Sequence, residues 1–145
     1  MGEKTKIKEM NLENIEMEQA PDATPAQFIL SLLQIRDQAH VIHWQTSLEA
    51  EHRNFGMFYD EFLVLVDALV ESILGKYGKD ALSFEEAAIG IVSYDGNYES
   101  FMEMIDESFT IFYSVFDPQQ DSELYNDLDN IKTLKNKLNY LLSQE

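Results

Sequence analysis

All three histidines of the chain fall in one 13-residue window, at His40, His43 and His52. Fifteen residues after His52 comes a pair of acids, Asp67 and Glu71, inside the most apolar run of the sequence, from Phe62 to Val70 and its border. Imidazole and carboxylate groups together are a ligand set for first-row transition metals. A carboxylate in an apolar stripe is costly to bury unless something pairs with it. These residue types, at these spacings, point to a metal site.

Helical geometry divides the candidates into two halves. His40 and His43 are three apart and share a helix face; Asp67 and Glu71 are four apart and share one too. His52 opens a second helix and meets His43 across a short turn. At 1.5 Å of rise per residue, His52 stands roughly 22 Å from Asp67 along one straight helix. No single ion spans that distance, so the histidines and acids of one chain cannot share a metal. Two copies can: if their second helices cross antiparallel about a twofold axis near residues 60–62, residue 52 of one meets residues 67–71 of the other. A twofold contact is self-complementary and creates two equal sites per dimer. Bundles that hold two irons within one chain use Glu-x-x-His pairs, and here no histidine follows residue 52.

The elements that must position these residues are helical. Thr24-Pro25 reads as an N-cap with proline at the first helical position. From Ala26 to about Thr46, apolar residues recur at Phe28, Leu32, Ile35, Ala39 and Ile42. Residues 47–50 form a tight turn, and a second helix runs from about Glu51 to Tyr77, closed by Gly78. Ser83-Phe84-Glu85-Glu86 has the Ser-x-x-Glu capping-box pattern and predicts a short connecting helix to about Val92. Tyr94-Asp95-Gly96-Asn97 is a turn. An aromatic third helix ends near Phe116, before Asp117-Pro118. The last helix carries Leu124, Leu128, Ile131, Leu134, Leu138 and Leu141 at bundle-seam spacing. The fold class is therefore all-α: a four-helix bundle with a short helix between helices two and three. That connection is long enough to cross the bundle and suits an up-down-down-up order.

Composition bounds the rest. A chain of 145 residues is one domain by default, read as a flexible tail over residues 1–22 and a bundle over 23–145. There is no cysteine, which excludes disulfides and thiolate ligands. No signal peptide or membrane span is legible, so a cytoplasmic location is expected. The net charge of −17 repels phosphate backbones and anionic membranes and attracts cations. Lys4, Lys6 and Lys8 are followed at once by Glu9, Glu13, Glu16 and Glu18, so DNA binding is not expected.

His43-Trp44, then His52, then Asp67-Ala68-Leu69-Val70-Glu71 resembles the ferroxidase signature of the Dps-like miniferritins, of the ferritin-like superfamily. The resemblance covers residues 28–78. It implies a ferritin-like bundle assembled as a hollow dodecamer through twofold interfaces. Such proteins oxidise Fe(II), preferentially with peroxide, and store the ferric mineral. It also implies His43 and His52 as ligands from one chain, Asp67 and Glu71 from the other, and Trp44 lining the site. The chain departs from the pattern in having a shorter turn between the histidines. It also has Gly56 where the family carries an acid, which weakens a second iron position. Asp60 and His40 are the residues that could compensate. His40-x-x-His43-Trp44-Gln45-Thr46, with Ala50-Glu51-His52 and Gly75-Lys76-Tyr77-Gly78, also resembles uncharacterised proteins of tailed phages, which would place the chain in a host cytoplasm.

Each candidate has a plainer reading. His43 and His52 could be interfacial polar residues or hold a structural zinc or another divalent ion. His40 is a third ligand or a group that orients His43. Asp67 and Glu71 could be solvated, although their apolar context argues otherwise. Glu51 reads as a favourable charge at a helix N-terminus. The alternative function is a non-enzymatic bundle that serves as an interaction protein.

Overall fold

The computed structural model describes residues 23–144; the tail expected over residues 1–22 lies outside them. Helix α1 spans Pro25–Gln45. It begins where the sequence signals it: Gln27 N–H donates to Thr24 Oγ1, and Thr24 N–H donates back to Gln27 Oε1, both at 3.2 Å. This is a capping box with glutamine as its reaching residue. The helix ends when Thr46 turns extended and donates its N–H to the Ile42 carbonyl. After the short turn, α2 runs over Glu49–Tyr77. Gly78 stops it with a φ of 90°, a conformation that favours glycine. Helices α3 (Glu99–Val115) and α4 (Ser122–Leu142) complete the set, with no strand among the described residues.

Side-chain pairs fix the directions. Phe28 of α1 packs edge-on against Phe112 of α3 at 5.1 Å, and Ser31 bonds Ser108, so α1 and α3 are antiparallel. Lys76 pairs with Glu123 and Lys137 with Glu61, so α2 and α4 are antiparallel as well. Phe55 and Phe58 of α2 both meet Phe101 at the start of α3, so α2 and α3 run the same way. The order is up-down-down-up, as the long connection predicts. Phe28, Phe112 and Phe116 fill the core at one end, called the foot here; Phe55, Phe58 and Phe101 fill it at the head. On α4 the buried seam ends on Leu142 rather than Leu141, since the 3.6-residue period drifts against a seven-residue repeat.

The connection between α2 and α3 differs from the expected helix over residues 83–92. Its only helical turn among the described residues is a short 3₁₀ segment at Lys79–Leu82, and residues 83–97 carry no helix. The reason is reach. The connection must climb from the foot back to the head, past the length of α3, roughly 25 Å for its 17 residues. Ten helical residues would cover about 15 Å; ten extended ones cover about 33 Å. The extended path is held by glutamines on one face of α1. Gln34 donates to the Gly90 carbonyl at 2.9 Å. The buried Gln38 donates to the Val92 carbonyl at 2.8 Å and accepts from Val92 N–H at 3.0 Å. Gln45 accepts from Tyr94 N–H at 2.7 Å. The connection is thus a strap laid along α1, and it brings Tyr94 to the turn that carries the histidines.

Candidate metal centre

His43 lies in the last turn of α1 and His52 in the opening turns of α2, on either side of the tight turn. Their rings stack, with centroids 3.9 Å apart and planes 15° from parallel. His43 Nδ1 meets the carbonyl of His52 at 2.5 Å, and His52 Nδ1 meets the carbonyl of His43 at 2.7 Å. A carbonyl oxygen only accepts, so each ring carries its proton on Nδ1. A neutral ring in that tautomer keeps its lone pair on Nε2. The His43 carbonyl is among the last four of α1, which lack helical partners, so His52 also closes the end of that helix.

Gly56 makes the stacking feasible. A Cβ built there would stand 2.9 Å from Cε1 of His43 and 3.1 Å from its Nδ1. The ring therefore rests directly on the backbone of α2. A lone glycine inside a helical pattern is the sequence signal for such close approach, and it is the one sign that could have marked this position in advance.

Of the other candidates, His40 adjoins the pair and the acids stand apart from it. The His40 ring lies 6.1 Å from that of His43, whose Nδ1 is held by the His52 carbonyl. It also lies 3.7 Å from Trp44 and 4.1 Å from Tyr59, centroid to centroid, in an aromatic stack on the hairpin surface. Trp44 is not core: it is 65% exposed. Asp67 and Glu71 are exposed, because the apolar residues around them, Phe62, Val66, Leu69 and Ile73, form the opposite, core-facing side of α2. Their apolar context thus reflects the core stripe of the same helix and places neither acid in it. Asp60, Val64, Asp67 and Glu71 share the outward face, at i, i+4, i+7 and i+11. Among the described residues, no three histidine or acidic side chains within one chain converge to hold an ion.

Glu51 is not a solvated helix-end charge. It is buried, accepting from Thr46 Oγ1 at 2.7 Å and from the Tyr94 hydroxyl at 3.1 Å. It ties the turn to the strap immediately beside His52. Its role was hidden in the sequence because its partner Tyr94 lies 43 residues away.

A second polar cluster sits at the foot. Asp121 is buried and accepts from the Tyr77 hydroxyl, from Lys76 at 2.9 Å and from Asp117 N–H at 2.9 Å. Burial pushes the Asp121 carboxyl up, but the bonds from Tyr77, Lys76 and Asp117 outweigh it and hold the group below its ordinary value. Lys76 also bonds Glu123 at 2.6 Å, and these two carboxylates raise its ammonium above the ordinary range.

Fold and site together define a class: an all-α four-helix bundle whose first hairpin carries a stacked imidazole pair, His52 exposed and His43 half-buried. Residues 43–142 match the profile of DUF5856, a family of unknown function, and the chain belongs to that family. The match includes His43, His52, Gly56, Asp67 and Glu71 and begins after His40. No curated protein and no solved structure matches the chain.

Proposed function

We propose that the protein is a ferritin-like bundle that binds Fe(II) between two copies of its first hairpin and oxidises it. His43 and His52 of one copy and Asp67 and Glu71 of the other are the ligands. The observation that carries this reading is the pair of Nδ1–H bonds to main-chain carbonyls. Histidines that ligate metals characteristically donate their other nitrogen to such a partner, which fixes the tautomer and the ring. The exposed acids on the outward face of α2 are available to a second copy. Val64, 69% exposed between them and the histidines, gives that contact an apolar centre.

In this reading Fe(II) is substrate. Two ions each give one electron to peroxide, which takes up two protons and leaves as two waters. A shell of twelve copies, working in the cytoplasm of a cell or of a phage host, is the assembly that the reading carries with it. No helix among the described residues is long and apolar enough to cross a membrane. The acidic surface favours cation uptake over DNA. A native mass spectrum before and after anaerobic Fe(II) addition, followed by a peroxide-driven oxidation assay, tests the proposal. Assemblies of twelve chains with iron bound support it; monomers without iron defeat it.

A second reading has an observation of its own. Because His52 closes the end of α1 and His43 seats on Gly56, the pair serves the hairpin even without a metal. The protein would then be a non-enzymatic interaction bundle. An unchanged melting temperature with chelator, together with no iron oxidation, selects it.

A further inference from the structure

Glu51 is a carboxylate only 3% exposed, and no lysine, arginine or histidine among the described residues pairs with it. A buried charge is costly unless it is paired. The other buried acid, Asp121, has Lys76 at 2.9 Å. Glu51 has only neutral hydroxyls, Thr46 on Oε1 at 2.7 Å and Tyr94 on Oε2 at 3.1 Å. A carboxylate offers about four lone-pair positions, so both oxygens keep capacity to accept. The dipole of α2 favours a negative charge near its start, but the N–H at its cap, on Leu48, donates to Thr46 Oγ1 instead. Glu51 also lines a cavity of about 260 Å³ between the α1–α2 turn and the strap. Ser47, Leu48 and Gly96 line it too and are exposed, so the cavity opens to solvent. Glu51 is the only acid among the described residues that line it.

We propose that this cavity binds a primary alkylammonium group, with Glu51 as its counter-ion. An ammonium carries three donors and no acceptor. The free lone pairs of Glu51 receive them, together with Gln45 Oε1, which lines the cavity and spends one lone pair on the Tyr94 N–H. The alkyl stem lies against Leu48 and Tyr94, the apolar part of the wall. An apolar cavity of about 150 Å³ holds benzene, so the space here admits a four-carbon stem with its head. A net charge of −17 draws cations and repels anions. A divalent ion fits less well, since Ca(II) takes about six to eight oxygen ligands and one carboxylate is present. The occupant would give Glu51 what Lys76 gives Asp121. The site uses no histidine and neither Asp67 nor Glu71, so it stands or falls apart from the iron reading.

The test titrates the full chain with n-butylammonium chloride at constant total chloride and follows the main-chain amides by two-dimensional proton–nitrogen NMR. n-Butanol, the same stem without the charge, is run beside it. Saturable shifts centred on Thr46, Leu48 and Tyr94 are expected, with n-butanol weaker by about 10- to 100-fold, the size of a hydrogen bond to a charged group. Glu51→Gln keeps the size of the side chain and one oxygen acceptor but loses the charge, and it should weaken n-butylammonium by the same factor. If that variant does not fold, the n-butanol comparison on the wild-type chain decides alone. Nα-acetyl-lysine amide, with the same head on a main-chain stem, separates two sources of the group. Affinity equal to that of n-butylammonium supports a lysine side chain of a partner as the occupant, and weaker affinity supports a free amine. Shifts that do not saturate, equal affinity for n-butanol, or full affinity in a folded Glu51→Gln overturn the site.

Discussion

The two ends of α2 carry two polar clusters with opposite character. At the foot, Lys76 and Tyr77 converge on the buried Asp121, and Glu123 takes up the remaining reach of the lysine. Every charge there has a partner inside the chain. At the head, about 36 Å away along the helix, His43 and His52 use one nitrogen each and leave the other without use in the bonds that join them. A fully satisfied cluster fixes the packing of α4 on α2. A half-used pair fixes itself and keeps capacity for something from outside. The contrast separates residues that hold the fold from residues that are held by it.

Breaking the foot gives the largest effect on stability. Asp121→Ala leaves Lys76, Tyr77 and Asp117 N–H without their shared acceptor. It should lower the melting temperature by roughly 10 °C, read by circular dichroism, with the Fe(II) binding proposed for the head unchanged. The pH dependence follows in sign. A carboxylate whose folded value is lowered stabilises the protein above its unfolded value and loses that contribution as pH falls through the folded one. Stability should therefore drop below about pH 4 in the wild type, near the ordinary aspartate value, and the slope should be shallower in Asp121→Asn. Equal slopes would remove Asp121 from the account.

The strap between the two ends comes next. Gln38→Ala removes both bonds to Val92 and should lower the melting temperature by about 5 °C. It should also speed hydrogen exchange at Val92 N–H, and protected exchange there would mean that other contacts hold the strap. At the head the effect is smaller. His52→Ala should cost about 3 °C by opening the end of α1, and His52→Asn should restore it. The smallest thermal effect belongs to Asp67→Asn with Glu71→Gln, which should leave the melting temperature unchanged and abolish the Fe(II) binding proposed above. A stability loss in that double variant would make these acids structural and erase the contrast.

Much of the architecture was legible because its signals are local. Thr24-Pro25 set the start of α1, Gly78 the end of α2, and the spacing of Leu124, Leu128 and Ile131 the seam of α4. The separation of the histidines from Asp67 and Glu71 also follows from helix rise alone. The strap was misread for the same reason that these were read well. Ser83-x-x-Glu86 is a local helix signal, but the path there is set by Gln34 and Gln38, whose partners lie 56 and 54 residues away.

By itself, then, the sequence determined four helices, their order and the faces that carry histidines and acids, since periodicity and end signals act within a few turns. Only the tertiary structure decided that Asp67 and Glu71 face outward, that Glu51 is buried under Tyr94, and that the His43 ring lies on Gly56 with its Nδ1 on a main-chain carbonyl. Those facts depend on how closely one helix approaches another, and that distance is set by packing.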